Sequence, residues 1–218
     1  SISPVLCNIY LHYVLDVWVE RWRKKQAAGD VIVVRFADDF VIGFQSETEA
    51  RRCLADLHER LARFGLELHP EKTRLIEFGR FATAYRKRKG EGKPETFDFL
   101  GFTHYCRSTR KNGSFIVGRK TIAKRMRAKL KELKIELRKR MHRPVPETGA
   151  WLRRVVQGYY NYYYVPGNGV AMRQFTQALL RLWWKGLRRR SHKMRCDWKR
   201  FYHRIARRWM PPMLVMHP

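Results

Sequence analysis

The sequence predicts an α+β fold in its first half and an all-α fold in its second. Short apolar runs at 31–35 and 40–44 flank a tight turn, which is typical of a β-hairpin. Apolar residues at spacings of three and four precede and follow this hairpin and indicate helices packed against it. From Ile122 onward the spacing is helical, with Lys and Arg on the remaining faces.

The two helices that flank the hairpin carry start signals. Ser3 and Pro4 predict a helix with Ser as N-cap and Pro in the first turn, running to about Lys25. Ser46 predicts the start of the next helix, and Glu49, three residues later, completes a capping box. In a capping box the two side chains satisfy backbone N–H groups that would otherwise lack partners.

Three more strands are predicted beyond the second helix. Two short ones, 66–69 and 74–78, are separated by a polar turn, and a longer one spans 97–105 after a basic loop at 86–94. The Asn112-Gly113 pair predicts a hairpin turn, because both residues tolerate the positive φ that tight hairpins require. The remaining helices are predicted at 122–141, 151–164, 170–190 and 196–209.

Charge divides the 218-residue chain near Gly118. From Arg119 to the end there are 27 basic and 4 acidic side chains, a net of +23, whereas the preceding part carries 20 and 15, a net of +5. A domain this basic is typical of a protein that binds a polyanion such as nucleic acid. The sequence therefore predicts two domains, 1–117 and 118–218.

The cysteines and the hydropathy indicate the compartment. The four cysteines lie far apart and form no Cys-x-x-Cys pair, which favours free thiols in a reducing environment. The sequence contains no long uncharged apolar stretch. We therefore expect a cytoplasmic protein without a membrane partner. The cysteines are Cys7, Cys53, Cys106 and Cys196.

Adjacent carboxylates lie at the tip of the predicted hairpin. Asp38 and Asp39 repel each other when both are ionised, and a divalent cation relieves that repulsion. Mg²⁺ suits such a site, since it usually binds one or two carboxylates together with substrate phosphates. An ordinary Asp-rich turn explains the same pair, because Asp favours turns by hydrogen bonding its own backbone.

Five segments, in this order, resemble those of the bacterial group II intron reverse transcriptases, in which a polymerase is fused to a maturase domain. The fourth resembles the family's primer-grip segment, and the last resembles the core of its maturase domain. The segments are 1–12, Arg35-Phe36-Ala37-Asp38-Asp39-Phe40, Pro70-Glu71-Lys72-Thr73, Phe97-Asp98-Phe99-Leu100-Gly101-Phe102 and 152–163.

The resemblance implies a fold and an activity. Residues 1 to about 80 correspond to the second half of a polymerase palm, 81–117 to primer-grip hairpins, and 118–218 to a helical thumb with maturase character. The implied activity is RNA-directed DNA polymerase, a nucleotidyltransferase that uses Mg²⁺, an intron RNA template and a DNA primer. Such proteins belong to mobile elements.

The resemblance also assigns roles to individual residues. Asp38 becomes the direct metal ligand, with Asp39 as a weaker ligand. Lys72 lies in the segment that approaches the incoming triphosphate, although without the resemblance an exposed turn lysine is the favoured explanation. The resemblance assigns the primer-grip role to Phe99, Leu100 and Gly101.

Arginine and aromatic residues of the basic half are candidate RNA-binding residues. The run 188–190 offers guanidinium groups that suit phosphate, and tyrosines can stack on unpaired bases. For any single tyrosine, packing in the core is the alternative. The candidates are Arg188, Arg189, Arg190, Tyr159 and Tyr163.

Two departures from the family pattern matter. Phe36 stands where the family usually has Tyr, which removes a hydroxyl but keeps an aromatic ring. The sequence also opens after the family's Gln-Gly step, so the strand with the other metal-binding aspartate is not in it. Whether this chain alone is an enzyme therefore stays open, and the N-terminal half becomes a possible partner.

Three alternatives remain. In the first, the chain is a non-catalytic RNA-binding splicing cofactor, and in the second it is an inactive truncated remnant of a mobile element. In the third, it is a relative of retron-type reverse transcriptases, which share the Ala-Asp-Asp hairpin. The segment Gly158-Tyr159-Tyr160-Asn161-Tyr162-Tyr163 after a long basic helix favours the intron type.

Overall fold

Residues 2–109, 111–190 and 197–213 are described by the computed structural model of the chain. Contacts divide it into two units, Ser1–Glu77 and Phe78–Pro218. The elements form two small antiparallel sheets and a larger set of helices, which confirms the predicted α+β class. Each unit is described by itself below.

The first unit contains one long helical segment, a hairpin and a third helix. The long segment contains a π-helical stretch in its middle. The helices α1 and α2 therefore follow each other without a break, but the wider turn of this stretch shifts the helical register between them. The elements are α1 Ser3–Leu11, the π-helical stretch His12–Asp16, α2 Val17–Gln26, β1 Val31–Phe36, β2 Asp39–Phe44 and α3 Glu47–Ala62.

The helix start predicted at Ser46 is confirmed, whereas the N-cap at Ser3 and the capping box are not. Ile2 already has helical φ and ψ, so Ser3 lies inside the helix and is not its N-cap. Ser46 is the N-cap of α3, but its side chain makes no capping hydrogen bond. Glu49 accepts a hydrogen bond from the backbone N–H of Ala28 at 2.8 Å. A tertiary contact therefore uses the carboxylate that the capping box would have required.

The strands predicted at 66–69 and 74–78 are absent from the described residues. A turn follows His69, whose carbonyl accepts hydrogen bonds from the N–H groups of Lys72 and Thr73 at 3.2 and 2.9 Å. Neither segment finds a partner strand, and a strand without a ladder partner is not formed. The leucines of the first segment pack on the helices instead.

One face of the β1–β2 hairpin carries the core of the first unit. The helices α2 and α3 and the π-helical stretch pack on that face and bury Leu15, Val19 and Leu57. The other face is open, with Ile32, Val34 and Phe36 49–66% exposed. The hairpin is therefore fixed from one side only.

The second unit combines a three-stranded sheet with a helical bundle. Strand order is β3-β4-β5, antiparallel throughout. The elements are α4 Ala82–Arg88, β3 Phe97–Phe99, β4 Phe102–Ser108, β5 Phe115–Thr121, α5 Ala123–Lys139, α6 Val145–Tyr163, α7 Gly169–Arg190, α8 Trp198–Phe201, a π-helical stretch Tyr202–Ala206 and α9 Arg207–Trp209.

Most predictions for this unit are confirmed, with three corrections. The strand expected at 97–105 is two strands joined by a tight turn, and α4 occupies the start of the loop expected at 86–94. The Asn112-Gly113 hairpin is confirmed, with φ +70° at Gly113. The helix expected at 151–164 begins earlier, at Val145, since Pro146 fits a first helical turn. Cys196, the expected start of the last helix, lies outside the described residues.

The helices of the second unit share one hydrophobic core. Apolar faces of α5, α6 and α7 meet the aromatic ring of Phe201, which is fully buried. Tyr159 stacks on Phe175 with ring centroids 3.9 Å apart. The largest buried side chains are Trp183, Tyr160, Phe175 and Phe201.

A buried amide joins the sheet to the helices. Asn168, 1% exposed, accepts a hydrogen bond from the Thr121 backbone N–H at 3.0 Å. Its Nδ2 donates to the Thr121 hydroxyl at 2.8 Å and to the Tyr163 carbonyl at 2.7 Å. These bonds help explain why β5 lies in the same unit as the helices, whereas the predicted domain boundary falls after residue 117.

Replacing Asn168 with Ala should destabilise the chain by about 2–4 kcal/mol, because it leaves buried partners unsatisfied. Urea unfolding followed by circular dichroism measures the change. Gln177→Ala is the control: it removes an exposed amide from α7 and should cost about 0.5 kcal/mol or less. Equal costs for both variants would show that the Asn168 network contributes nothing.

Candidate active site and nucleic-acid interface

The hairpin predicted around Asp38 and Asp39 is confirmed. In its register Val34 pairs with Val41 and Phe36 with Asp39, which leaves Ala37 and Asp38 as a two-residue turn. Asp39 is the first residue of β2 and shares the open face with Phe36, because directly paired residues project to the same side. That both carboxylates point to the same side stays a prediction.

Both carboxylates are exposed and free. The side chains of Asp38 and Asp39 make no hydrogen bond or ion pair with another described residue. Their oxygens keep the acceptor capacity that a hard cation uses. This fits Mg²⁺, which retains several waters and takes one or two carboxylates from a protein.

The pair does not make a complete metal cage. Across residues 2–109, 111–190 and 197–213, no three His, Cys, Asp or Glu side chains come together in a way that could hold a metal ion. Additional ligands would have to come from water, from a substrate or from another polypeptide segment.

The backbone at the turn is strained. Ala37 has φ +54°, in the left-handed region that residues with a Cβ rarely occupy. Such a residue costs on the order of 1–3 kcal/mol and persists only where its surroundings hold it.

Arg35 makes the contacts around this turn. Its NH1 donates to the Ala37 carbonyl at 2.8 Å and to Asn8 Oδ1 at 3.0 Å. Its Nε and NH2 donate to the two carboxylate oxygens of Asp16, each at 2.7 Å. The hydrogen bond from Arg35 is the main reason why the pKa of the Asp16 carboxyl lies below its ordinary value. The sequence pattern alone did not indicate this network.

Lys72 lies in the exposed turn at 70–72, in the same unit as the hairpin. Its backbone N–H donates to the His69 carbonyl, and its side chain makes no hydrogen bond or ion pair with another described residue. The ammonium group is thus available to an anion, and its predicted role at a triphosphate stays a prediction.

The residues predicted as the primer grip form a tight hairpin turn. Phe99 ends β3, and Leu100 and Gly101, with φ +48° and +82°, connect it to β4. Positive φ at both positions is typical of a type I′ turn. A Cβ on Gly101 would also lie 3.2 Å from the Tyr163 hydroxyl, a tight contact, so both the backbone conformation and the space favour glycine there.

Helix α6 contacts this turn through tyrosines. The Tyr162 hydroxyl donates to the Leu100 carbonyl at 2.9 Å, and its ring stacks near Phe102 with centroids 6.0 Å apart. Tyr163 packs edge-on against the same phenylalanine. The tyrosine-rich segment therefore supports the turn, a role that sequence reasoning missed.

The structure corrects one predicted RNA-binding residue. Tyr159 is 8% exposed and stacked in the core, so its ring cannot stack on a base. Burial also raises the pKa of its hydroxyl. Tyr163 is half-buried between Phe102 and Tyr159. Tyr162, 51% exposed, is the accessible ring of this segment.

The arginines of the predicted run are exposed at the end of α7. The Arg188 guanidinium lies 4.9 Å from the Trp184 ring, and Arg190 donates to the Arg143 carbonyl at 3.1 Å. Both keep further N–H donors without a partner among the described residues, so phosphate binding by this run stays compatible with the structure.

A second basic surface lies on α5. Five exposed side chains recur at spacings of three and four and make no ion pair with another described residue. Residues at these spacings share a helix face, here for about 21 Å of its length. We call this surface the basic stripe. It consists of Lys124, Arg127, Lys131, Lys134 and Arg138.

The first unit exposes a carboxylate pair, and the second unit exposes cationic surfaces. Residues 1–104 match the family model described as reverse transcriptase (RNA-dependent DNA polymerase). The matched stretch includes Asp38, Asp39, Lys72 and the turn at Leu100. It indicates a relation to RNA-directed DNA polymerases, whose partners are nucleic acids.

The match does not extend over the basic half of the chain. No curated protein matches the chain. Within the described part of the chain, none of the helices is both long enough and apolar enough to span a bilayer.

Proposed function

We propose that the chain is part of an RNA-directed DNA polymerase of the group II intron reverse transcriptase/maturase type, and that it binds intron RNA. The hairpin that exposes Asp38 and Asp39 with their oxygens free carries the proposal. The reverse-transcriptase match over 1–104 supports the polymerase part.

The proposed chemistry is nucleotidyl transfer to a DNA primer. When bound, Mg²⁺ supplies the positive charge that activates a primer 3′-hydroxyl and stabilises the triphosphate. Asp38 is the direct ligand in this proposal and Asp39 the weaker one. Lys72 would neutralise charge on the leaving pyrophosphate, and Phe99, Leu100 and Gly101 would hold the primer end.

The basic half would bind the intron RNA. Its net charge of +23, the basic stripe and the exposed arginines of 188–190 support phosphate contacts. Exposed aromatic surface at Tyr162 supports contact with unpaired bases, which structured RNA offers and a plain duplex does not.

Primer extension on an RNA template with Mg²⁺ tests the proposal. The chain alone should extend nothing, since one hairpin provides two carboxylates and in-line transfer needs ligands from a second strand. Adding the N-terminal half of a related reverse transcriptase should restore extension. Extension by the chain alone would contradict the proposed need for a partner segment, and no extension after addition would contradict the polymerase role.

One observation favours a second function. Because no third metal-binding side chain joins Asp38 and Asp39 in the described residues, a non-catalytic RNA-binding splicing cofactor is also compatible with the site. Binding of intron RNA and stimulation of its splicing, with no extension even after complementation, would support this alternative. A truncated remnant of a mobile element would do neither.

A further inference from the structure

The turn that presents Asp38 lacks the residue that its backbone favours. Ala37 adopts φ +54°, where glycine would be free of strain. A residue in this conformation persists only where its surroundings hold it. Whatever holds Ala37 also sets the direction in which the next residue, Asp38, projects from the backbone.

Arg35 is the side chain that reaches this turn. Of its five N–H donors, four make the hydrogen bonds described above, and its side chain is only 15% exposed. The Asp16 carboxylate binds the guanidinium in a two-pronged geometry that fixes its plane. With its plane fixed, NH1 points at the Ala37 carbonyl.

Asp16 occupies a special place in its helix. It is the last residue of the π-helical stretch that separates α1 from α2. Such stretches are rare, and they are often found at functional sites because they shift the register of the side chains. Asn8, one turn before the stretch, contributes the other contact to the same nitrogen, NH1.

We propose that Arg35, oriented by Asp16 and Asn8, is a positioning residue that holds the Ala37–Asp38 turn in its left-handed conformation and thereby fixes the Asp38 carboxylate for a divalent cation. The inference rests on the proposed function, in which Asp38 is the metal ligand. It assigns no contact with substrate to Arg35, four of whose five N–H donors are already engaged.

The test uses the full chain labelled with ¹³C-alanine, and Mn²⁺ as the probe. Arg35→Lys keeps the charge but cannot bond Asp16 and the Ala37 carbonyl together. The Ala37 resonance should move away from its left-handed position, and Mn²⁺ affinity, measured by water proton relaxation, should fall about 10-fold. Asp16→Asn should cause a smaller shift of the Ala37 resonance and a smaller loss of Mn²⁺ affinity. If Arg35→Lys does not fold, Asp16→Asn is the variant that tests the proposal.

Two further variants separate positioning from general stability. Arg23→Lys, the control, alters an arginine that pairs with Glu20 and bonds the Val31 carbonyl at the other end of β1, and it should change neither readout. Ala37→Gly removes the strain, so adding it to Arg35→Lys should restore most of the Mn²⁺ affinity. A merely structural Arg35 would not be rescued in this way.

The outcomes distinguish this inference from the proposed function. If Asp38→Ala leaves Mn²⁺ binding unchanged, or the unmodified chain binds none, the proposed metal site is wrong, and the Ala37 resonance still tests the contact. If Asp38→Ala weakens binding but Arg35→Lys changes neither readout, the positioning role is overturned. An Ala37 resonance that stays in place in both Arg35→Lys and Asp16→Asn overturns it as well.

Discussion

Asp38→Ala should lower primer extension by about 10³-fold or more in the complemented enzyme, equivalent to about 4 kcal/mol of transition-state stabilisation. The reason is that the variant removes the direct ligand from the proposed magnesium site. Asp39→Ala should cost less, about 10- to 100-fold. Single-turnover extension on an RNA template measures both rates.

The loss of primer extension should come from lost catalysis and not from lost stability of the fold. Asp38 is exposed and bonds no other described residue, so the unfolding free energy should change by about 0.5 kcal/mol or less. The matched control is Asp30→Ala. Asp30 is an exposed aspartate at the other end of the same hairpin, where its carboxylate accepts a hydrogen bond from Gln45 at 2.9 Å.

The control variant should extend primers at a rate within about twofold of the unmodified chain. If Asp38→Ala and Asp30→Ala behaved alike, the hairpin would not be the catalytic site. Unchanged RNA binding in the Asp38 variant would confirm that only chemistry was lost.

Removing three lysines of the basic stripe should lower RNA affinity on the order of 10²- to 10³-fold at about 0.1 M salt. The variant is Lys124→Ala, Lys131→Ala and Lys134→Ala. Each lysine is exposed and free of ion pairs with the described residues, so each can neutralise a phosphate and release counterions. The slope of log affinity against log salt should become shallower by about 2 to 3.

A control with the same net charge is available. Lys24, Lys129 and Lys139 pair with glutamates at 3.2, 2.7 and 2.9 Å. Replacing these three with Ala removes as many charges, but from residues already neutralised by a partner. Its affinity should stay within about 10-fold of the unmodified chain, because long-range attraction is screened by salt.

Equal losses in the two triple variants would show that only overall charge matters. If neither variant lost affinity, the RNA surface would lie elsewhere, and Arg188, Arg189 and Arg190 would be the next residues to replace. If the unmodified chain contacts about six phosphates, its affinity for RNA should fall roughly 10³-fold when the salt concentration rises from about 50 to 200 mM.

Much of the fold follows from local patterns in the sequence. The hairpin at 31–44 was predictable because short runs of β-branched and aromatic residues flank a turn. The helices of the basic half were predictable because apolar residues recur at helical spacing over long stretches. The strands expected at 66–69 and 74–78 failed because strand formation depends on a partner that the sequence pattern does not reveal.

The candidate site was predictable only in part. Asp38 and Asp39 stand out because two adjacent carboxylates between apolar runs are unusual. Tyr159 was misjudged as an RNA contact, because spacing shows which residues share a helix face but not which face is buried. The spacing of Lys124, Arg127 and Lys131 could have indicated the basic stripe, since it repeats the three-and-four pattern in cationic residues.

The sequence by itself determined the type of most main elements, the charge of each half and the carboxylate pair at the hairpin. Only the tertiary structure decided what holds that pair in place. Arg35 and Asp16 lie 19 residues apart, and their contact depends on how a helix packs against the hairpin. In the same way, Tyr162 meets Leu100 across 62 residues. Local preferences act over a few residues, whereas these contacts exist only once the chain has folded.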